Sequence, residues 1–181
     1  MRITPHSMFT LCLGLLLLSA GCTKRYFVLT HLQEPLAAPA HCSLGPIMDE
    51  LPADMAPGDK PTAEDIAKLK RYLVEELEKR ELLLFEENEA EKNLYEIRGS
   101  VLEFKRGSGF TRFLIGFGAG SAKLTVSLHL VEKRFNRAVF SGNFTKEVSS
   151  WPESGDQAFR VVASDFAKGL KKDLDFLEKE H

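Results

Sequence analysis

The sequence predicts a single α/β (α+β) domain, with a mainly antiparallel or mixed sheet and two amphipathic helices packed on one of its faces. Three observations carry that expectation. Ile66, Leu69, Leu73, Val74 and Leu77 recur at the helical period, and so do Phe159, Val162, Ala163, Phe166, Leu170, Leu174 and Leu177. Each set places its apolar side chains on one stripe, as a helix lying on a core requires. Between the two helices, Leu124, Val126, Leu128 and Leu130 alternate with Thr125, Ser127 and His129, the period-two pattern of a half-buried strand. The 181 residues fit one such domain plus an appendage.

The appendage is N-terminal. Arg2 precedes an apolar run of eleven residues, Met8 to Leu18, well short of the roughly 20 that a membrane-spanning helix needs and matched to the core of a secretory signal. Ser19-Ala20-Gly21 and then Cys22 follow. This ending resembles the lipobox of bacterial lipoprotein signals, with Ser19 at the place usually held by leucine and Leu18 one position further back. The resemblance implies removal of residues 1–21 and acylation of Cys22, with palmitate among the acyl groups. An ordinary cleaved signal with an incidental Cys22, or an uncleaved anchor, are the competing readings. By the same resemblance, Thr23 after the cysteine implies sorting to the outer membrane, facing the periplasm, with the inner membrane or the cell surface as the alternatives. Removing residues 1–21 takes away one basic residue and no acidic one, so the net charge moves from −2 to −3. A chain so nearly neutral is no nucleic-acid binder of the basic-patch kind.

Residues 22–61 are expected to form a proline-rich tether holding one or two short strands. Six of the eight prolines lie between Gln33 and Pro61, which forbids a continuous helix. Arg25–Leu32 and Cys42–Ile47 read as extended, either as a loose hairpin or with the first in the tether. The globular domain is placed at 62–181, with a start near 42 as the alternative. Thr62 caps the first helix, with Asp65 at the reciprocal capping position. Leu82–Phe85 is a short apolar run, Asn88–Asn93 turn material, and Leu94–Arg106 a long strand. Lys123–Glu132 and Ala138–Val148 form a hairpin whose tip uses Asn136 in a left-handed conformation. Trp151-Pro152 ends the sheet, and Gly155-Asp156 starts the last helix.

Between the strands lies Gly107 to Gly120, with five of the thirteen glycines. Gly116, Gly118 and Gly120 have the spacing G-x-G-x-G, and a strand follows instead of a helix, so the segment is not a dinucleotide loop. Glycines allow positive φ, and Phe110, Phe113 and Phe117 either pack on the chain's own core or meet a partner. The run Arg112–Leu124 resembles the signature of the bacterial lipoprotein family defined by the domain of unknown function 4410, as does the order of helix, glycine segment, hairpin and helix. That family implies no reaction.

No catalytic or metal constellation is legible, and no cofactor is expected. His31, His41, His129 and His181 lack metal-ligand spacing. Ser108 has no nearby base, and His129 reads as a sheet-surface histidine. Glu86-Glu87 and Asp173/Asp175 fall in solvated charged sequence. Asn143-Phe144-Thr145 is an incidental sequon, and Lys168, Lys171 and Lys172 form a small basic patch. Cys12 leaves with the signal and Cys22 carries lipid, which leaves Cys42 as a strand residue, an intermolecular bridge or a reactive thiol. The expectation is a non-enzymatic envelope lipoprotein, held to membrane lipid through Cys22. It meets an envelope protein or further copies of itself through Phe110, Phe113, Phe117 and the three glycines. A ring-forming subunit of an export apparatus is the alternative, and a small hydrolase or ligand-binding enzyme the disfavoured one.

Overall fold

The computed structural model describes residues 26–36, 40–56, 59–85, 94–106, 122–148 and 155–180. In chain order the elements are β1 (Tyr26–Thr30), β2 (Ala40–Asp49), α1 (Ala63–Glu78), β3 (Leu83–Phe85), β4 (Tyr95–Lys105), β5 (Ala122–Glu132), β6 (Arg137–Val148) and α2 (Gly155–Glu180). They build an α+β fold around one six-stranded mixed sheet of order β1-β6-β5-β4-β2-β3. The pairs from β1 to β4 are antiparallel, whereas β2 runs parallel to both β4 and β3.

The expected hairpin between the first two extended segments does not form. β1 pairs with β6 at one edge of the sheet, and β2 lies between β4 and β3 near the other. The reason is burial: Cys42 and Ile47 of β2 are core residues, and α1 supplies the crossover that a parallel return to β3 requires. Pro46 is tolerated because it is exposed and falls where the β2–β4 register shifts, as proline in a sheet must. Of the segment expected to be a tether, only residues 22–25 precede the first strand.

Strand alternation decides the two faces. Ile97, Val101, Val126, Leu128, Leu130, Phe140 and Phe144 point to the helices and join Leu69, Leu73, Phe166 and Leu170 in one buried cluster. The other face carries Ser100, Thr125, Ser127, His129, Ser141 and Thr145, so the sheet is one-sided. Gly169 lets α2 close onto the sheet. A Cβ there would sit 3.1 Å from the Phe140 ring.

The caps are as local as the sequence suggests. The Asp65 N–H donates to Thr62 Oγ1 (3.2 Å) and the Thr62 N–H donates to Asp65 Oδ2 (2.8 Å), a reciprocal capping box. Asn136 has φ 48° at the β5–β6 tip, as expected. Glu81 has φ 55°, and the Leu82 N–H reaches back to the Leu77 carbonyl at 3.1 Å. That is the left-handed closure of a helix end that glycine usually supplies. Glu81→Gly is therefore expected to raise stability by about 0.5 kcal/mol, the relief of left-handed strain outweighing the entropy glycine adds to the unfolded chain. A urea titration showing a lower midpoint would contradict this.

Candidate functional site

One end of the sheet holds the residues that border, in sequence, the segments singled out above. Lys105 pairs with Lys123 and Ala122 with Val148, so the two ends of segment 107–121 leave side by side from the ends of β4 and β5. Phe110, Phe113, Phe117, Gly116, Gly118 and Gly120 all lie outside the described residues, as does Cys22. β1 is antiparallel to β6, with Tyr26 opposite Phe144, so β1 begins at the same end. α1 also starts there, because Arg106 Nη2 donates to Asp65 Oδ2 at 2.6 Å.

The frame holding these segments is tightly built. Phe104 stacks on Phe159 with ring centroids 6.4 Å apart, and the Arg106 guanidinium lies 5.5 Å from the Phe104 ring centroid. Glu103 takes Lys123 at 2.6 Å and Lys105 at 3.7 Å. Glu103 thus ties the end of β4 to the start of β5.

At the opposite end, His31 to Leu36 pass over Tyr95, Glu132 and Arg137 around a cleft of about 110 Å³. Burial, followed by the nearby Glu132 carboxylate, pushes the Tyr95 phenol above its ordinary range. Asp173 of α2 fastens this segment. Its carboxylate accepts the Leu32 N–H at 3.0 Å and faces His31 Nδ1 at 2.9 Å. That contact joins residues 141 and 142 apart in sequence, and no local pattern could have announced it.

Among the described residues, the remaining candidates lie on different elements, His129 on β5, Glu76 on α1 and Cys42 on β2. His129 sits on the polar sheet face beside Ser127 Oγ (3.1 Å), and burial lowers its imidazole pKa. Serine and histidine here are two residues apart on one strand, and the Glu50 carboxylate acts on the imidazole through its charge, opposing the effect of burial. Glu76 is buried in the helix pair. Burial favours its neutral form, but hydrogen bonds from Arg80 and Ser164 outweigh that and hold the carboxyl below its ordinary range. Its contribution to stability is present above the unfolded carboxylate pKa and is lost as pH falls. Among the described residues no group of three or more His, Cys, Asp or Glu side chains could hold a metal. No described helix is long and apolar enough to cross a membrane.

Cys42 is a free, fully buried thiol on the core side of β2. Burial pushes its pKa from 9.0 to about 12, and a thiol that stays protonated is a poor nucleophile. This favours the strand-residue reading over the bridge or the reactive thiol. Folded protein at pH 8 is expected to leave Cys42 unmodified by a disulfide reagent and to react fully once denatured. The same shift makes the fold lose stability as pH rises from about 9 toward about 12, because only the unfolded thiol ionises in that window. Rapid labelling of the native protein would contradict the placement.

With this geometry in hand, comparison with known proteins is informative. A family model described as "Domain of unknown function (DUF4410)" matches residues 46–168. No curated protein sequence matches the chain. Two crystal structures of the PelC dodecamer from Paraburkholderia phytofirmans share the fold, with TM-scores of 0.53 and 0.52 at 13% identity. The aligned parts cover 78% of this chain and 96% and 97% of theirs. A minor lipoprotein from Acinetobacter baumannii matches at 19% identity over 80% of this chain and 96% of its own, with a TM-score of 0.34, too loose a likeness to argue from.

Proposed function

Because the chain belongs to the DUF4410 family, matched over residues 46–168, we propose that it is a lipid-anchored envelope protein acting as a non-enzymatic binding or assembly module. The observation that supports this best is the order of segments at the N-terminus. An apolar run too short to span a bilayer ends in Ser19-Ala20-Gly21-Cys22, and the first strand of the fold begins at Tyr26. Acylated Cys22 then anchors the domain without a transmembrane helix, since two acyl chains suffice for stable attachment. In this reading residues 1–21 are a signal peptide, and palmitate is among the acyl groups. Thr23 directs the protein to the periplasmic side of the outer membrane.

The contact surface in this reading is the Gly107–Gly120 segment, which joins β4 to β5 in sequence. A second reading, a homo-oligomeric ring subunit of an envelope export apparatus, draws on the PelC relatives, which were solved as dodecamers. A ring requires two different patches that meet head to tail, and Phe110, Phe113 and Phe117 are the apolar candidates for one of them. Crosslinking in intact envelopes tests both. Wild type is expected to give discrete crosslinked species that disappear in the double variant Phe113→Ser, Phe117→Ser. A ladder at multiples of the chain mass selects the ring, and a single heavier partner selects the envelope protein. Recovery of the same species from the double variant would contradict the loop's role.

A further inference from the structure

Cys22 stands four residues before Tyr26, so an extended link between them spans no more than about 14 Å. β1, which Tyr26 opens, is an edge strand with β6 on one side only. On the helix side, Tyr26 and Val28 share a cleft with Gly169, Lys172, Asp173 and Phe176 of α2, and Asp173 fastens the end of β1 through Leu32. The last turns of α2 are therefore fixed beside the strand that follows the anchor.

The outward surface of that edge carries an exposed aromatic ring among cations. Phe176 is 60% exposed, and Lys172 and Lys179, four residues before it and three after, lie on the same side of the helix. Arg80, Lys168 and Lys171 complete the basic lining. Carboxylates face these cations too: Arg80 is held by Glu76, Lys168 lies 3.6 Å from Asp165, and Lys171 lies 3.2 Å from Asp175. Lys172 and Lys179 form no ion pair with a described residue, and they flank the exposed ring with Asp173 on the same side of the helix. On the other flank of β1, Phe27 is 67% exposed. An aromatic ring between lysines whose apolar stems lie along the surface is the side-chain pattern of a membrane-interfacial face.

We propose that the β1–α2 edge rests on the bilayer that receives Cys22, with Phe176 at the boundary between headgroups and acyl chains and Lys172 and Lys179 among anionic headgroups. The inference rests on acylation of Cys22 and adds an orientation to it. The bilayer is the occupant because the short link holds Tyr26 within about 14 Å of the leaflet, and Tyr26 shares a cleft with Lys172 and Phe176. The sheet then stands edge-on, with β3 five strand spacings away, roughly 24 Å further from the lipid.

The test uses acylated full-length protein reconstituted into vesicles of neutral lipid with and without phosphatidylglycerol, carrying a fluorophore at Phe176→Cys or at Leu84→Cys. Leu84 lies on β3 and is 39% exposed, and buried Cys42 takes no label. Quenching by brominated acyl chains is expected to be about threefold stronger at 176 than at 84 in anionic vesicles. Lys172→Glu with Lys179→Glu, or omission of the anionic lipid, is expected to bring the ratio to about one, since each lysine near an anionic surface contributes a measurable share of attachment. Co-flotation with equal quenching at both positions would overturn the orientation while leaving the anchor standing. Failure to float would overturn the anchor and the orientation together. Protection of position 176 that grows with protein density, or that a soluble polyanion confers without vesicles, would give the face to a second copy or to a polymer and overturn the proposal.

Discussion

Phe166→Ala is expected to destabilise the fold by about 3–5 kcal/mol, the range for emptying a buried aromatic site. Phe166 is fully buried on α2 and meets both Phe140 and Phe144 of β6 edge-on, with ring centroids 5.5 Å away in each case. Each edge-to-face pair adds about 0.5–1.5 kcal/mol beyond the area it buries. Tyr26 stacks on Phe144 at 5.8 Å, so the cavity would open beneath the edge strand as well as beneath the helix. For a domain of this size the loss corresponds to a melting point lower by roughly 10 °C. Denaturant titration of the purified domain checks the value. A loss below about 1 kcal/mol would mean that α2 does not pack on β6 through this cluster.

The second large effect lies in localisation. Cys22→Ser is expected to abolish fatty-acid incorporation and to shift the protein out of the membrane fraction. The apolar run Met8–Leu18 is eleven residues long, too short to replace the lipid as a spanning helix. Each buried methylene of an acyl chain contributes about 0.8 kcal/mol, so the wild-type protein should sediment almost entirely with membrane. An unchanged density profile for Cys22→Ser would show that something other than the cysteine holds the protein there.

The elements that were legible in the sequence are those whose signal is local. The alternation Leu124–Leu130, the helical stripe from Phe159 to Leu177, and the Thr62/Asp65 cap each encode their own conformation within a few residues. Asn136 was readable because asparagine tolerates the left-handed region that the hairpin tip requires. Glu81 takes the same region without any such signal, since its conformation is imposed by the closure of α1 onto Leu82. The register of β2 was hidden for a different reason. Cys42–Ile47 reads as extended within a proline-rich stretch, and only the crossover through α1 makes it a parallel strand between β4 and β3. The Asp173 clasp and the β1–β6 pairing join distant parts of the chain, and single-residue patterns hold no record of either. For the site, the anchor and the glycine segment stood out by composition, whereas the Phe176 face did not. Its lysines read as ordinary helix surface until the fold set them beside the strand that follows Cys22.

The claim on which the account turns is that Cys22 is the acylated first residue of the mature protein. The direct measurement is the mass of the N-terminal peptide of protein purified from membranes. The account predicts a peptide that begins at Cys22, with residues 1–21 absent and the mass raised by a diacylglyceryl group, with or without a third acyl chain. A peptide that retains residues 1–21, or one that carries Cys22 as a free thiol, would contradict it.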